Sequence, residues 1–186
     1  MNKQGKSDKV ETLRVKAAVL NYLHFTKKID LICCEFNYGA ADVLAVSGYG
    51  IFEVEVKVSI ADMQRENKKY KHKLLVQHPA IEKPSTEHPC RYFSFAVPEA
   101  IADAASIFCK THFPFAGLYV LGDQFAKFTP CIKTKIKAQP LKPYFYGHRD
   151  MEQLKLWIIH GMSNNLVNAY YELFDAKKAL LPLRLI

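Results

Sequence analysis

The chain has 186 residues, 49% hydrophobic and 24% charged, a balance that suits a packed globular protein and excludes a disordered or collagen-like one. Its formal net charge of +8 favours polyanionic partners through long-range attraction and counterion release, though a plain solubility role accounts for it equally well. No apolar run approaches the roughly 20 residues that a bilayer-spanning helix needs, so no membrane partner is expected. The five cysteines are scattered, without a Cys-x-x-Cys pair. With a polar N-terminus that lacks an apolar signal region, they fit a reduced, cytoplasmic setting.

Taken in chain order, Ser7 and Asp8 are placed to cap a first helix that runs to about Tyr22. Val10, Leu13, Ala17 and Leu20 recur along it at helical spacing and are expected to face a core. A strand follows around Leu31–Phe36, then a turn at Asn37-Tyr38-Gly39. Two β-rich runs, Asp42–Val46 and Ile51–Val58, flank Ser47-Gly48-Tyr49-Gly50, a glycine-bearing connection that closes a hairpin. Ser59, with Asp62 three positions on, marks the N-cap of a polar helix reaching about Leu75. The proline- and histidine-bearing stretch from Gln77 to Pro89 reads as a loop.

Arg91–Val97 is a further strand, which Pro98 stops before a short helix through Ala105. Gly117–Leu121 is a short buried strand ended by Gly122-Asp123, and Ile132–Ala138, with lysine at alternate places, is an exposed edge strand. An amphipathic helical region from Met151 to about Leu180 closes the chain, with a break at Gly161–Asn165. The order α-β-β-β-α-β-α-β-β-α implies an α/β protein of the α+β kind, a mixed sheet flanked by helices. Residues 1–140 form its domain and residues 141–186 a C-terminal helical extension packing on it.

Side chains alternate across a strand, so Glu53, Glu55 and Lys57 share one face while Val54, Val56 and Val58 share the other. A wet sheet surface would account for such a charged face. The hairpin partner adds a second reading. A turn centred on Gly48-Tyr49 sets Ser47 opposite Gly50, and hence Asp42 opposite Glu55. Two carboxylates so close repel unless a cation lies between them. A hard divalent ion such as Mg²⁺ is typically held in this way, with waters left for substrate phosphate oxygens. Lys57 extends from the same face, where it would orient a water nucleophile or neutralise charge developing on phosphate.

Asp42 followed by Glu55-Val56-Lys57 on the next strand resembles the motif of the PD-(D/E)XK nuclease superfamily. The resemblance is closer to its MmcB-like, DNA-repair-associated branch. It rests on Ala41–Ala45, Val54–Lys57 with Ser59 and Asp62, Tyr92–Pro98 and Gly117–Leu121, and spans roughly residues 8 to 140. Ala41 stands where the motif has its proline. The resemblance implies a restriction-endonuclease-like core and an Mg²⁺- or Mn²⁺-dependent phosphodiester hydrolase acting on DNA rather than RNA. It implies metal binding by Asp42, Glu55 and the Val56 carbonyl, Lys57 as the catalytic lysine, and Glu11 as an additional acidic residue of the site. A nuclease that cuts both strands often works as a dimer, which makes a homodimer the candidate assembly. The competing expectation is a non-catalytic nucleic-acid-binding or assembly module on the same fold.

Glu11 has a plainer role open to it, since an acidic residue in a first helical turn meets the macrodipole favourably. Glu53 is expected as a solvated strand-end carboxylate rather than an outer ligand. Arg65, Lys68, Lys69 and Lys71, near the motif, are candidate phosphate contacts, with a solvated helix face as the alternative. Lys133, Lys135 and Lys137 are read as guards of an edge strand. His78, His88 and Cys90 lack the spacing of a compact zinc site, and Trp157, Tyr170, Tyr171 and Phe174 are read as packing residues.

Overall fold

The structure is a computed structural model that describes residues 3–36, 41–69, 71–72, 90–126, 129–141, 153, 155–156 and 158–162. Helix α1, Lys3–Asn21, ends in a wide π-type turn, Tyr22–Thr26, and leads into strands β1 (Leu31–Phe36), β2 (Ala41–Ser47) and β3 (Gly50–Val56). Helix α2 (Ile60–Glu66) precedes β4 (Tyr92–Pro98), and a single 3-10 turn opens α3 (Ala102–His112) before β5 (Gly117–Ala126) and β6 (Thr129–Ile136). The six strands form one sheet in sequential order. β1, β2 and β3 are antiparallel neighbours, β3, β4 and β5 run parallel, and β6 returns antiparallel at the edge. The two parallel pairs need crossovers, which α2 with the following residues and α3 supply. The fold is therefore α+β, a mixed sheet flanked by helices.

Three apolar clusters pack on the sheet. On one face, α1 lays Val15, Ala18 and Val19, and the turn after it Leu23, over Val43, Ala45, Val54, Val56, Ala96 and Tyr119. On the other, α3 covers Phe93, Phe95, Val97, Leu118 and Val120. Beside that second cluster, Ile158 packs with Cys33, Leu44, Val46 and Ile51 over the first three strands. Among the described residues no helix is long and apolar enough to cross a membrane.

The hairpin register is the expected one, with Ser47 opposite Gly50 and Val43 opposite Val54. Neither Gly48 nor Tyr49 has positive φ, so the turn is not of the primed kind that matches strand twist. Gly50, at φ 121, takes up the mismatch, and a Cβ there would stand 2.8 Å from the Arg91 side chain.

Several expectations are corrected. The buried stripe of α1 is Val15, Ala18 and Val19, whereas Val10 and Leu13 are exposed, at 62% and 67%, and so is Ala17. Both stripes are apolar, and the buried one carries Lys16, which Glu35 and Asp42 on the strands neutralise. Glu53 is not a solvated strand end, being 3% exposed beneath the flanking apolar clusters. Helix α2 stops at Glu66, the chain is helical again at residues 71–72, and Leu75 lies outside the described residues; α3 runs past Ala105 to His112. Strand β5 continues through Gly122 to Ala126 because β6 pairs with it as far as Thr129. The expected loop from Gln77 to Pro89, with His78 and His88, lies outside the described residues, as do Trp157, Tyr170, Tyr171 and Phe174.

Candidate active site

Strand β3 and the residue after it place Glu53, Glu55 and Lys57 on the sheet face away from α1, between the aromatic cluster under α3 and the aliphatic cluster around Ile158. All three are buried. Burying charge is costly unless each group is paired. The partners come from α2 and the residues after it as far as His72. Ser59 caps α2, its hydroxyl accepting the Asp62 N–H at 3.2 Å, and this fixes where the helix delivers Glu66.

Lys57 Nζ lies 3.1 Å from Glu55 Oε2 and 2.7 Å from Glu66 Oε1. Lys69 reaches the same two carboxylates, at 3.6 Å from Glu55 and 2.7 Å from Glu66. Lys71 bridges Glu53, at 2.8 Å, and Glu55. His72 Nε2 meets Glu66 Oε2 at 2.6 Å, and its ring packs edge-on against Phe93 and Phe113 with centroids 5.0 Å away. The ionised Glu66 requires the Nε2–H donor, which leaves His72 Nδ1 a buried acceptor without a hydrogen-bond partner among the described residues.

Among the described residues three carboxylates thus meet three ammonium groups. Burial keeps the His72 imidazole below its ordinary value, against the opposing pull of Glu66. Burial opposes charge on Glu66 too, but hydrogen bonds from His72, Lys57 and Lys69 hold its carboxyl well below the usual carboxylate range. Burial pulls the Lys57 ammonium down, yet Glu55 and Glu66 together raise it. Lys71 follows the same balance, held charged by Glu53 and Glu55. Glu53 is pushed up by burial, which Lys71 only partly offsets.

Asp42 sits at the other flank of the Glu55–Lys57 segment. Its Oδ2 accepts the Val56 N–H at 2.8 Å, taking the place of a strand carbonyl. Its Oδ1 is 2.9 Å from Lys16 Nζ, which also binds Glu35. The cause is local. Glu35 takes φ 51 between the pairs Cys34–Val43 and Phe36–Ala41, and Ala41 joins the cluster of Leu44 and Val46, so side-chain alternation breaks at Asp42. The Asp42 carboxylate therefore lies against the β3 backbone with α1 as its neighbour, while Glu55 takes its partners from the α2 side.

Of the other candidates, Glu11 pairs with Arg14 at 3.3 Å on α1. Arg65 is exposed, 3.6 Å from Asp62, and Lys68 is exposed as well. Lys69 and Lys71 turn inward onto carboxylates. Cys90 is buried and free. Sequence reasoning missed Glu66, His72 and Lys16. The first two carry no periodic signal, though Glu66 follows the motif lysine by little more than two helical turns; Lys16 becomes visible only once the buried stripe of α1 is known.

A divalent metal suits the donor chemistry here, since Asp42, Glu55 and the Val56 carbonyl offer the oxygens that a hard cation takes. Lys16 and the Val56 N–H already occupy the Asp42 oxygens, and Lys57, Lys69 and Lys71 those of Glu55, so a metal would compete with all of these groups. Among the described residues no group of three or more His, Cys, Asp or Glu is assembled as a ligand set. No family model, no curated protein and no solved structure matches this chain.

Proposed function

We infer that the protein is a metal-dependent nuclease that hydrolyses phosphodiester bonds, in DNA rather than RNA, on a restriction-endonuclease-like core of the PD-(D/E)XK kind. The MmcB-like resemblance adds a role in DNA repair or processing. One observation carries the reading: the Asp42 carboxylate lies on the Val56 N–H, at the centre of the Glu55-Val56-Lys57 segment, while Lys57 Nζ lies 3.1 Å from Glu55. Asp42 thus meets this short piece of β3 from the α1 side, and Glu55 with Lys57 from the α2 side.

Mg²⁺ or Mn²⁺ held by Asp42, Glu55 and the Val56 carbonyl would polarise a phosphate oxygen and acidify a bound water. Lys57, kept charged between two carboxylates, supplies a fixed positive charge where negative charge grows on the phosphate. Glu66 holds that ammonium in place. Arg65 and Lys68, exposed on α2 and the turn after it, meet backbone phosphates, and Glu11 remains an outer acidic residue on α1.

The test is cleavage of single-stranded, duplex and branched DNA, with RNA as a comparison, as Mg²⁺ or Mn²⁺ is added. Lys57→Ala is expected to lower the rate on the order of 10²–10³-fold. Equal cleavage by the variant and the wild type overturns the assignment.

A second reading, a non-catalytic nucleic-acid-binding or assembly module on the same fold, has one observation in its favour. Lys16, Lys57, Lys69 and Lys71 already neutralise Asp42 and Glu55. Metal-independent DNA affinity that survives Asp42→Ala, with no cleavage of any substrate, selects it.

A further inference from the structure

At the far end of β3 from Lys57, on the α1 face of the sheet, lies a cavity of about 470 Å³. Its floor is aromatic. Phe52 and Tyr92, neighbours across the parallel β3–β4 pair, stack with ring centroids 4.8 Å apart and planes 19° apart. Tyr119 continues the floor, braced edge-on by Tyr22 at 5.4 Å. The wall on one side is the tip of the hairpin, and on the other the end of β6.

The rim is basic. Lys27, Lys28 and Lys137 line the cavity and all three are exposed, with the Lys27 ammonium 5.4 Å from the Tyr22 ring centre. No Asp or Glu among the described residues lines it. Among the described residues no carboxylate pairs with these three lysines, in contrast to Lys16, Lys57, Lys69 and Lys71, which are all neutralised. Unpaired ammonium groups around an aromatic floor complement a ligand that joins a flat π-system to an anion.

We propose that this cavity is a binding site for a free nucleoside monophosphate, with the base on Phe52 and Tyr92 and the phosphate among Lys27, Lys28 and Lys137. The volume lies within the range of small-ligand pockets, and aromatic stacking recognises any base by its π-face. A free nucleotide is favoured over a polynucleotide strand by position. Phe52 faces α1 while Glu55 and Lys57 face the opposite side of the sheet, so a strand held in the cavity would have to round the sheet to reach them. The preference for a free nucleotide over a strand rests on the nuclease reading, but the cavity uses none of that site's residues.

Isothermal titration of the full chain with adenosine 5′-monophosphate tests it, with adenosine, inorganic phosphate and a short single-stranded oligodeoxythymidylate as comparisons. Saturable binding of one nucleotide per chain is expected, tighter than that of adenosine or phosphate alone. The double variant Lys27→Glu, Lys28→Glu and the single variant Tyr92→Leu are each expected to weaken it about tenfold or more. Lys110→Ala, at an exposed position on α3 across the sheet, is expected to bind as the wild type does. The two lysines are exposed, so the charge-reversed protein keeps its fold, which circular dichroism checks. Three results overturn the proposal: no saturable binding of the monophosphate, binding of phosphate as tight as that of the nucleotide, or an oligonucleotide bound more tightly than the monophosphate through the same residues.

Discussion

The two faces of the central sheet are built from the same strands to opposite rules. Toward α1, β2 and β3 present Val43, Ala45, Val54 and Val56, and the helix answers with Val15, Ala18 and Val19. Away from α1, the alternate positions of β3 and the residue that follows are Glu53, Glu55 and Lys57, equally sealed from water. The first face is held by apolar area and close packing. The second is held only while each charge keeps its partner, because an ion left alone in such surroundings costs several kcal/mol. Burial is therefore the same on both faces, but tolerance of change is not.

Single substitutions measure that difference. Glu66→Ala removes the acceptor shared by Lys57, Lys69 and His72, and a loss of about 3–5 kcal/mol is expected in urea unfolding. Val54→Ala, on the α1 face, is expected to cost about 2 kcal/mol, the transfer of two methyl groups with the cavity left behind. If Val54→Ala proves the more costly, the two faces do not obey different rules.

A pH series sharpens the contrast. His72 is kept below its ordinary 6.5 by burial, so the unfolded chain binds the proton at a higher pH than the folded one. Its contribution is whole above pH 6.5 and is lost as pH falls toward the lower folded value, with a slope of up to about 1.4 kcal/mol per pH unit. The depressed Glu66 carboxyl adds a second contribution, present above its ordinary 4.5 and lost below it. Replacing His72 with Phe is expected to flatten the upper window and leave the acid limb in place. An unchanged upper window would mean that the imidazole does not titrate with folding.

The smallest expected effect concerns delivery rather than pairing. Ser59→Ala removes the cap that anchors α2 and is expected to cost about 1 kcal/mol, a fall of about 2–4 °C in Tm, with the α1 face unaffected. A drop as large as that for Glu66→Ala would place the stability of the charged face in the helix itself rather than in its carboxylate.

Much of the scaffold was legible in the residues. Six strands and three helices fall in the expected order, and the Gly48-Tyr49 turn sets the hairpin register. The reason is that period-2 alternation and turn chemistry are local properties of the chain. The Ser59 cap is local in the same sense. The orientation of α1 was not legible, because Val10, Leu13 and Ala17 offer an apolar stripe to rival Val15, Ala18 and Val19. Only the position of Asp42 and Glu35 opposite Lys16 shows which stripe lies inward.

For the candidate site the division is sharper. The sequence by itself determined that Glu53, Glu55 and Lys57 share a face, that Val54 and Val56 share the other, and that Asp42 is delivered beside them by the hairpin. Tertiary structure alone decided that the charged face is dry, that Asp42 turns onto the Val56 N–H and Lys16, and that Glu66 and His72 complete the set. A strand fixes which way each side chain points. Whether water lies there, and which charges meet, depends on the helices and neighbouring strands packed over that face.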